Sequence, residues 1–491
     1  MDAAEIIIIG SGMGGASLAA ALAPSGRRIL VLEKGDYLRP SPADRDAAAI
    51  FGRGHFRPRE VWYDGKGRPF NPGNYYNVGG NSKFYGAVLL RYRAEDFAPI
   101  RHLEGTTPAW PMSYAALEPF YQRAEEMYRV RGQIGEDPSE PPHSGRYPFA
   151  PVPDEPAIAD LRRRLEGVGL HPASLPLGVD IEEWLKGGQT TWDAFPGTTG
   201  GKMDAESIGI AGALAHPNVT LRTGAEVRLM HAGADGRIAG VELAGGETLS
   251  APTVVLAAGA VQTAVLLLRS GLANSSGQVG RNVMNHNTSA VLAIHPFRKN
   301  PSVYQKTLMV NDFYLSGGPG DAPLGNIQLL GKITGPILAA NSPLPVFLAG
   351  FVARRTVDLY AMSEDLPDPE SRIMLQGDRI VMDWRQKNWA AHLAFVDKLK
   401  RLLRRAGYPI VLSRPFDSRT PSHQCGTARM GTDAATSVVD PFGRSHDHAN
   451  LFLCDASVLP TSAAVNPALT VAALALRTAD HILATEFAGG G

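Results

Sequence analysis

The hydrophobic pattern at the start of the chain is a short apolar run that gives way to glycines. Residues 6–9 are four consecutive isoleucines, a pattern typical of a strand that is buried on both faces. The run leads into the sequence GSGMGG at 10–15, and small residues then predict a helix over 16–22. A second apolar strand is predicted over 28–32, directly before Glu33. The pattern therefore predicts a strand–loop–helix–strand unit within about thirty residues.

The glycines of this unit predict a phosphate-binding loop. Gly10 allows the tight turn, Gly12 lets the backbone approach a pyrophosphate, and Gly15 lets helix and strand pack closely. Glu33 stands at the usual distance to accept hydrogen bonds from the ribose hydroxyls of an adenosine. A glycine-rich turn without a ligand is the alternative, and the motif alone does not separate FAD from NAD. The cofactor contacts expected here are Gly10, Gly12, Met13, Gly14, Gly15, Glu33 and Lys34.

A second strand–glycine–helix unit lies far along the chain. The apolar run at 253–257 predicts a buried strand, which enters Ala258-Gly259 and a helix over 261–269. The distance between the two units indicates a nucleotide domain that is assembled from separated segments. Strand-like pieces over 286–419 alternate with loops and predict a sheet-based second domain. The fold class expected is α/β (α+β overall): a Rossmann-like domain built from discontinuous segments, plus a sheet-based substrate-binding domain.

Two further segments carry candidate ligand contacts. Residues 79–82, Gly-Gly-Asn-Ser, predict a tight turn whose N–H groups face a ligand, with an ordinary loop as the alternative. Near the carboxyl end, an apolar strand over 451–454 ends at Asp455, which is placed to bind nucleotide hydroxyls or phosphate-bridging waters. Asn466 suits a helix N-cap and Pro467 a first helical position. That helix would aim its positive end at whatever faces Asn466.

Composition narrows the functional class and the compartment. The 491-residue chain carries 48 basic and 48 acidic side chains, so nothing suggests a nucleic acid or an anionic membrane as partner. Its two cysteines, Cys425 and Cys454, are too few for a disulfide framework or a thiolate metal cluster, and they fit a reducing compartment. The sequence shows no secretory leader and no apolar segment of membrane-spanning length. We expect a cytoplasmic enzyme with no metal site and no membrane partner.

Together, the motifs make the chain similar to a known enzyme family. They are GSGMGG with Glu33, 78–82 (VGGNS), 259–263 (GAVQT) with Ser270-Gly271, 423–427 (HQCGT), Asp455-Ala456 and Asn466-Pro467. Over essentially its full length the chain resembles the glucose–methanol–choline (GMC) family of FAD-dependent oxidoreductases. The resemblance implies an FAD-binding domain formed by 1–95, 205–285 and 420–491, and a cap and substrate-binding domain formed by 96–204 and 286–419.

The resemblance also implies where cofactor and substrate meet. In the family a histidine and a second His or Asn lie before the flavin ring, and by motif these are His423 and Asn466. His423 would take the hydroxyl proton, the carbon hydride would pass to flavin N5, and Asn466 would hold the oxygen, unless Asn466 is only an N-cap. His286 is a weaker candidate, for which a core or surface position is favoured, and Lys202 and Trp192 are candidates to line a sugar pocket. The other cofactor contacts implied are Gly79, Gly80, Asn81, Ser82, Tyr85, Gly86, Val227 at the adenine, Ala258, Gly259, Asp455, Ala456, Asn466, Pro467 and Ala468.

Within the family, residues 71–97 and 107–114 are similar to a bacterial branch that oxidises sugars and glycosides, related to glycoside 3-oxidases and more distantly to pyranose oxidases. This predicts oxidation of a sugar or glycoside secondary alcohol to a ketone, at C3 with C2 as the alternative, and O2 or another acceptor takes the electrons. Phe84 stands about where pyranose oxidases tether FAD through a histidine, so we expect non-covalent FAD. Residues 191–196 lack the cysteines that relatives often carry there. A non-sugar alcohol substrate, or a lyase that uses FAD structurally, are the alternatives.

Overall fold

The computed structural model describes residues 4–186, 193–198, 200–417 and 423–487. The strands are β1 Ile6–Ile9, β2 Ile29–Leu32, β3 Trp62–Asp64, β4 Pro69–Phe70, β5 Arg101–His102, β6 Gly105–Thr106, β7 Pro172–Ser174, β8 Val219–Arg222, β9 Val227–Ala232, β10 Ile238–Leu243, β11 Thr248–Leu249, β12 Thr253–Leu256, β13 Asn287–Ile294, β14 Leu308–Val310, β15 Asn326–Leu329, β16 Thr356–Ser363, β17 Arg372–Gln376, β18 Arg379–Asp383, β19 Ile410–Pro415 and β20 Leu451–Leu453. The α-helices are α1 Met13–Leu22, α2 Tyr114–Met127, α3 Pro156–Glu166, α4 Ile181–Lys186, α5 Ala211–Leu214, α6 Ala260–Ser270, α7 Gly335–Ala340, α8 Val346–Ala353, α9 Trp389–Arg405 and α10 Ala468–Glu486. Short 3-10 or π-helical turns cover Ala23–Ser25, Pro42–Arg45, Ala48–Gly52, Gly80–Lys83, Ala94–Phe97, Ala205–Ile210, Pro319–Asp321 and Ala456–Val458. Within the described ranges, every helix is too short or too polar to span a lipid bilayer.

Five parallel strands from widely separated parts of the chain form one sheet. Their order is β20-β12-β1-β2-β8, and Ile6 of the central strand lies opposite both Thr253 and Ile29. Ile6 and Ile8 pack with helices α1 and α10, whereas the two alternate isoleucines pack in the core that contains helix α6. Because both faces are covered, β1 has no polar position. The sheet confirms the α/β class, while the exact domain boundaries stay a prediction.

A six-stranded antiparallel sheet, ordered β19-β13-β16-β15-β14-β7, forms the second large layer. Helix α9 covers one face, where Phe395 shares an apolar cluster with Ile327 and Leu329 of β15. Because side chains alternate along a strand, Asn326 and Gln328 of β15 face the other side. All four side chains of β15 are buried. Two amide side chains are therefore enclosed on the face of the sheet that points away from α9.

His392 of helix α9 is buried against two neighbouring strands of this sheet, β13 and β16. Its ring nitrogens lie 2.8 Å from Ser289 Oγ and 3.0 Å from Ser363 Oγ, and burial lowers its pKa from 6.5 to about 3. As pH falls below 6.5, the unfolded chain binds a proton at this residue while the folded chain keeps it neutral. Acid therefore removes about 1.4 kcal/mol of stability per pH unit through His392 until the folded pKa is reached.

We expect the variant His392→Gln to gain stability relative to the wild type by about 1.4 kcal/mol per pH unit below pH 6.5. The difference between the two proteins is the quantity to measure, because burial also raises the pKa of Asp96 and Asp365 to about 7. Those carboxyls change the stability of both proteins in the opposite direction, and their contribution cancels in the difference. Urea unfolding over a pH series gives the two free energies of unfolding. A difference that is independent of pH would contradict a buried neutral imidazole.

Candidate active site

The loop between β1 and α1 leaves no space for side chains on its inner side. A Cβ atom at Gly14 would lie 1.8 Å from the carbonyl oxygen of Cys454, and one at Gly15 would lie 2.1 Å from that of Gly10. Gly10 itself has a φ of +104°, which glycine adopts without strain. At Gly12, by contrast, a Cβ atom would meet no described atom within 4 Å. The loop is therefore packed against the chain on one side and open at Gly12.

The open side of this loop suits a phosphate group. Helix α1 begins at Met13, and among the described residues no side chain caps it and no acidic side chain lies in its first turn. Free backbone N–H groups at a helix N-terminus, together with the helix dipole, favour a negatively charged ligand. A dinucleotide pyrophosphate therefore fits the space beside Gly12.

Glu33 follows β2, and its side chain binds the glycine loop between β1 and α1. Its carboxylate accepts hydrogen bonds from Ser11 N at 3.0 Å, from Ser11 Oγ at 2.6 Å and from Gly35 N at 3.0 Å. Ser11 Oγ in turn accepts a hydrogen bond from Gly79 N at 3.1 Å, which brings the turn at 79–82 onto the glycine loop. Glu33 thus holds the loop in place, and its contact with a ribose stays a prediction.

The turn at 79–82 lies against the open part of the glycine loop. A Cβ atom at Gly80 would lie 3.6 Å from Gly12 Cα, so the two glycines approach closely. Phe84 is buried and stacked on Tyr75, with ring centroids 3.8 Å apart. The other predicted contacts of this segment, Asn81, Ser82, Tyr85 and Gly86, are its immediate neighbours in the chain.

Asp455 follows β20 and ties together two loops at the carboxyl edge of the parallel sheet. Its carboxylate accepts hydrogen bonds from Gly259 N at 2.9 Å, Thr263 Oγ1 at 2.6 Å and Ser457 N at 2.7 Å. The carboxyl ends of parallel strands meet at one edge, where open α/β sheets bind their ligands. The predicted contacts Ala258, Gly259, Asp455 and Ala456 therefore lie at the same edge as the glycine loop, and their contacts with a cofactor stay predictions.

His423 is held in an uncommon backbone conformation next to a second predicted residue. Its φ is +69°, in the left-handed region, which costs a residue with a side chain on the order of 1–3 kcal/mol and is found preferentially at functional sites. Its Nδ1 lies 2.8 Å from Nδ1 of His286, and its Nε2 lies 3.2 Å from Nδ2 of Asn466. The structure therefore brings together the two predicted catalytic side chains and adds His286 to them.

The backbone decides which ring nitrogens of the two histidines carry hydrogens. Nε2 of His286 lies 2.9 Å from the carbonyl oxygens of both Ser462 and Ala463, which can only accept, so this nitrogen carries a hydrogen. In neutral His286 the Nδ1 atom is then an acceptor, and the hydrogen between the rings belongs to Nδ1 of His423. Neutral His423 is left with a lone pair on Nε2, which accepts a hydrogen bond from Asn466. The pair thus presents an unprotonated ring nitrogen to the site.

Burial keeps both imidazoles neutral. It lowers the pKa of His286 to about 4 and the pKa of His423 well below its ordinary value, and repulsion from the protonated form of His286 and from the Lys306 ammonium lowers the pKa of His423 further. The Glu364 carboxylate raises the pKa of His286, but this attraction does not outweigh the loss of hydration. At neutral pH His423 is therefore uncharged, with the lone pair of Nε2 on the side of Asn466, and its role as a base stays a prediction.

Asn466 does not cap helix α10, so that alternative from the sequence is wrong. The helix begins at Ala468, its N-cap is Pro467, and no side chain caps it among the described residues. The sequence predicted Pro467 at the first helical position, whereas in the structure Pro467 is the N-cap and Ala468 is the first helical residue. The Asn466 amide instead accepts a hydrogen bond from Gln328 Nε2 at 2.9 Å and donates one to His423. Capping of helix α10 therefore does not compete with the predicted contact between Asn466 and a ligand oxygen, which stays a prediction.

Two family models match the chain. One, described as FAD dependent oxidoreductase, matches residues 5–296, and the other, described as GMC oxidoreductase, matches residues 367–475. The chain belongs to the GMC family of FAD-dependent oxidoreductases. This GMC oxidoreductase is an enzyme that binds FAD and oxidises alcohol groups.

Relatives of this GMC oxidoreductase match it over nearly its whole length. Paromamine 6'-oxidase of Streptomyces fradiae is 29% identical over 97% of this chain and 91% of the relative. The fructose dehydrogenase large subunit of Gluconobacter japonicus is 27% identical over 98% of each chain. The crystal structure of pyridoxine 4-oxidase from Mesorbium loti aligns with a TM-score of 0.68 and 20% identity, over 97% of this chain and 99% of that one, which shows the shared fold.

Of three other predicted residues of this GMC oxidoreductase, two have described surroundings and one lies outside the described residues. Val227 begins β9, and the neighbouring Glu226 lies 3.2 Å from Lys34 Nζ. Lys202 is 1% exposed and donates to two backbone carbonyl oxygens at 2.6 and 2.9 Å, and burial lowers its pKa to about 7. A lysine enclosed in this way supports the adjacent loops and does not line an open pocket. Trp192 lies outside the described residues.

Sequence reasoning undervalued His286 and missed Gln328 in this GMC oxidoreductase. His286 lies 137 positions before His423 in the chain, so no local pattern marks their contact. The alternation of Gln328 with Ile327 and Leu329 placed its amide on the face opposite the apolar pair, but the polar face of such a strand is ordinarily exposed to water. Only the structure shows that this face is buried, where an amide requires a hydrogen-bond partner.

Proposed function

We propose that this GMC oxidoreductase oxidises a secondary alcohol of a sugar or glycoside to a ketone, at C3, and passes the electrons to O2 or another acceptor. The observation that carries the proposal is the neutral His423, whose Nε2 lone pair faces the Asn466 amide at 3.2 Å. A base beside a hydrogen-bond donor suits an alcohol oxygen that loses a proton. The relatives named paromamine 6'-oxidase and fructose dehydrogenase support a sugar substrate. The choice of C3 depends on the similarity of residues 71–97 and 107–114 to glycoside 3-oxidases.

The two side chains have complementary roles in this proposal. A substrate hydroxyl that enters between them donates its hydrogen bond to His423 Nε2 and accepts one from Asn466 Nδ2. His423 takes the proton as the carbonyl forms, and Asn466 stabilises the negative charge that develops on the oxygen. The Nδ1–H of His423 points at His286, which accepts this hydrogen bond and so stabilises the charged imidazole. FAD, when bound, accepts the hydride from the substrate carbon.

We further propose that FAD is held without a covalent bond and that the enzyme is cytoplasmic. Phe84 has no nucleophilic atom, and its ring is buried against Tyr75. This arrangement supports cofactor binding by the glycine loop and its neighbours alone. Cys425 and Cys454 are both buried free thiols, which supports a reducing compartment.

Anaerobic mixing with deuterated glucosides tests the proposed reaction. Methyl glucoside, unlabelled or carrying deuterium at C2, C3 or C6, is added to oxygen-free enzyme, and the loss of oxidised-flavin absorbance is followed. We expect the flavin to bleach and the rate to fall only with deuterium at C3, because the hydride leaves from that carbon. The ketone is then located by NMR of the product. A rate that falls with deuterium at C2 or C6 instead would reject C3.

The alternative functions give different outcomes in the same experiment. Bleaching by pyridoxine or 2-methyl-1,2-propanediol, the alcohols named in two relatives, without bleaching by glucosides would indicate a non-sugar substrate. A lyase that uses FAD structurally would convert its substrate without bleaching the flavin.

A further inference from the structure

Asn466 is the last member of a buried row of polar side chains. Its Oδ1 accepts a hydrogen bond from Gln328 Nε2 at 2.9 Å, and the same nitrogen donates to Asn326 Oδ1 at 2.9 Å. Asn326 Nδ2 donates to Asn311 Oδ1 at 2.6 Å, and Asn311 Nδ2 donates to Asp137 Oδ2 at 2.7 Å. We call this row the amide chain: it runs from Asp137 through Asn311, Asn326 and Gln328 to Asn466.

The direction of the hydrogen bonds in the amide chain is fixed at both ends. Asp137 is a buried carboxylate paired with Arg93, so its oxygens accept and the amide nitrogen of Asn311 must face it. At the other end, the carbonyl oxygens beside His286 fix the hydrogens of both histidines, so that Nε2 of His423 is an acceptor. Both ends therefore require the same orientation of the Asn466 amide, with Oδ1 towards Gln328 and Nδ2 towards His423.

Water has little access to the contacts that hold this orientation. Asn311 is 3% exposed, and Asn326 and Gln328 are fully buried. Gln328 donates from Nε2 to two oxygens, while its Oε1 is a buried atom with no hydrogen-bond partner among the described residues. Reversing the Gln328 amide would turn Oε1 towards those two oxygens and lose both hydrogen bonds. The observed orientation of Gln328 is therefore the one that the amide chain requires.

We propose that Gln328 is a positioning residue for the reaction: by donating to Asn466 Oδ1 it holds the Asn466 amide with its N–H side towards His423, and so keeps a hydrogen-bond donor for the substrate oxygen beside the unprotonated Nε2. The effect of Gln328 on the rate rests on the proposed function. Its effect on the orientation of Asn466 and on the hydrogen bond that Nε2 of His423 accepts does not, because both exist without substrate.

Two substitutions separate the donor role of Gln328 from its volume. Gln328→Met keeps an unbranched side chain of similar length but removes both donors at every pH. Gln328→Glu has one donor while its carboxyl is neutral and none once the carboxyl ionises. Gln278→Met, an amide replaced outside the amide chain, controls for the substitution itself. FAD content and thermal unfolding establish that each variant is folded.

We expect flavin reduction in Gln328→Met to slow by at least severalfold and up to about 10²-fold, with FAD content unchanged. For Gln328→Glu we expect a rate above that of Gln328→Met at acidic pH and below it at alkaline pH, where the ionised carboxyl turns the Asn466 amide round. A wild-type rate in Gln328→Met would overturn the proposal. So would identical pH profiles of the two Gln328 variants, because a side chain that only fills space would not respond to ionisation.

Nitrogen NMR of the histidine rings in the substrate-free holoenzyme supplies the readout that does not depend on catalysis. We expect an unprotonated Nε2 at His423 that accepts a hydrogen bond in the wild type. In Gln328→Glu at alkaline pH we expect an Nε2 that is still unprotonated but has lost this hydrogen bond, because the carbonyl groups beside His286 still fix the ring hydrogens. A protonated Nε2 in the wild type would overturn the positioning role. If the NMR result is as expected but flavin reduction does not require His423, the positioning role stands and the proposed function fails.

Discussion

Replacing His423 by alanine should leave FAD bound but slow its reduction by substrate about 10²–10⁴-fold. His423 carries the unprotonated nitrogen that faces Asn466 at 3.2 Å, and the Asn466 amide cannot take a proton in its place. The variant loses the base but keeps the glycine loop and Glu33, so cofactor binding should persist. Anaerobic stopped-flow spectroscopy measures the reduction rate, and the ratio of flavin to protein absorbance measures retention of FAD.

A control and a second variant make the His423 experiment decisive. His171→Ala removes an exposed histidine paired with Asp312 and should leave the rate unchanged. Because alanine is strained at the φ of +69° that His423 adopts, His423→Asn is the matched variant: asparagine tolerates this conformation but has no basic nitrogen. Equal slow reduction in both His423 variants supports the base. Wild-type reduction in His423→Asn would reject it.

The amino-terminal unit could be predicted from the sequence because its determinants are local. Four isoleucines, a glycine loop and a small-residue helix specify a strand covered on both faces, and the structure places α1 and α10 on one side and α6 on the other. The position of Asp455 at the same sheet edge follows from the rule that parallel strands end together. Each of these predictions needed only the residues within one unit and the geometry of a parallel sheet.

The arrangement around His423 could be predicted only in part, because it depends on contacts between distant segments. The motif pointed to His423 and Asn466, but the role of Asn466 was decided by where helix α10 begins, one residue after Pro467. The hydrogen positions on His423 depend on carbonyl groups that touch His286, and no sequence pattern specifies that contact. Gln328 holds Asn466 across 138 positions of sequence. Tertiary packing therefore determines the hydrogen positions on His423 and the orientation of Asn466, while the catalytic roles that the motif indicated stay predictions.

Gly12 and Gly14, two glycines at the glycine loop, should respond differently to substitution by alanine. At Gly14 a methyl group would lie 1.8 Å from the carbonyl oxygen of Cys454, a backbone atom beside β20 that cannot move without opening the sheet. We expect Gly14→Ala to destabilise the protein by about 3 kcal/mol or more, at or above the upper end of ordinary overpacking. Thermal unfolding and the yield of folded protein measure this loss, which should appear even before FAD binding is considered.

Gly12→Ala is the control matched to Gly14→Ala, because its methyl group would lie only on the open side of the loop, where the pyrophosphate is proposed to bind. Gly12 has φ −69° and ψ −171°, which alanine adopts freely, and a Cβ atom there would meet no described atom within 4 Å. Stability without cofactor should therefore stay within about 1 kcal/mol of the wild type. The methyl group would occupy the space assigned to the pyrophosphate, so we expect a folded protein that has lost most of its FAD. Gly14→Ala fills the packed side of the loop and Gly12→Ala fills the open side, so a loss of FAD in Gly12→Ala alone reports on the open side. Full FAD content in Gly12→Ala would show that the phosphate does not approach the chain at this glycine.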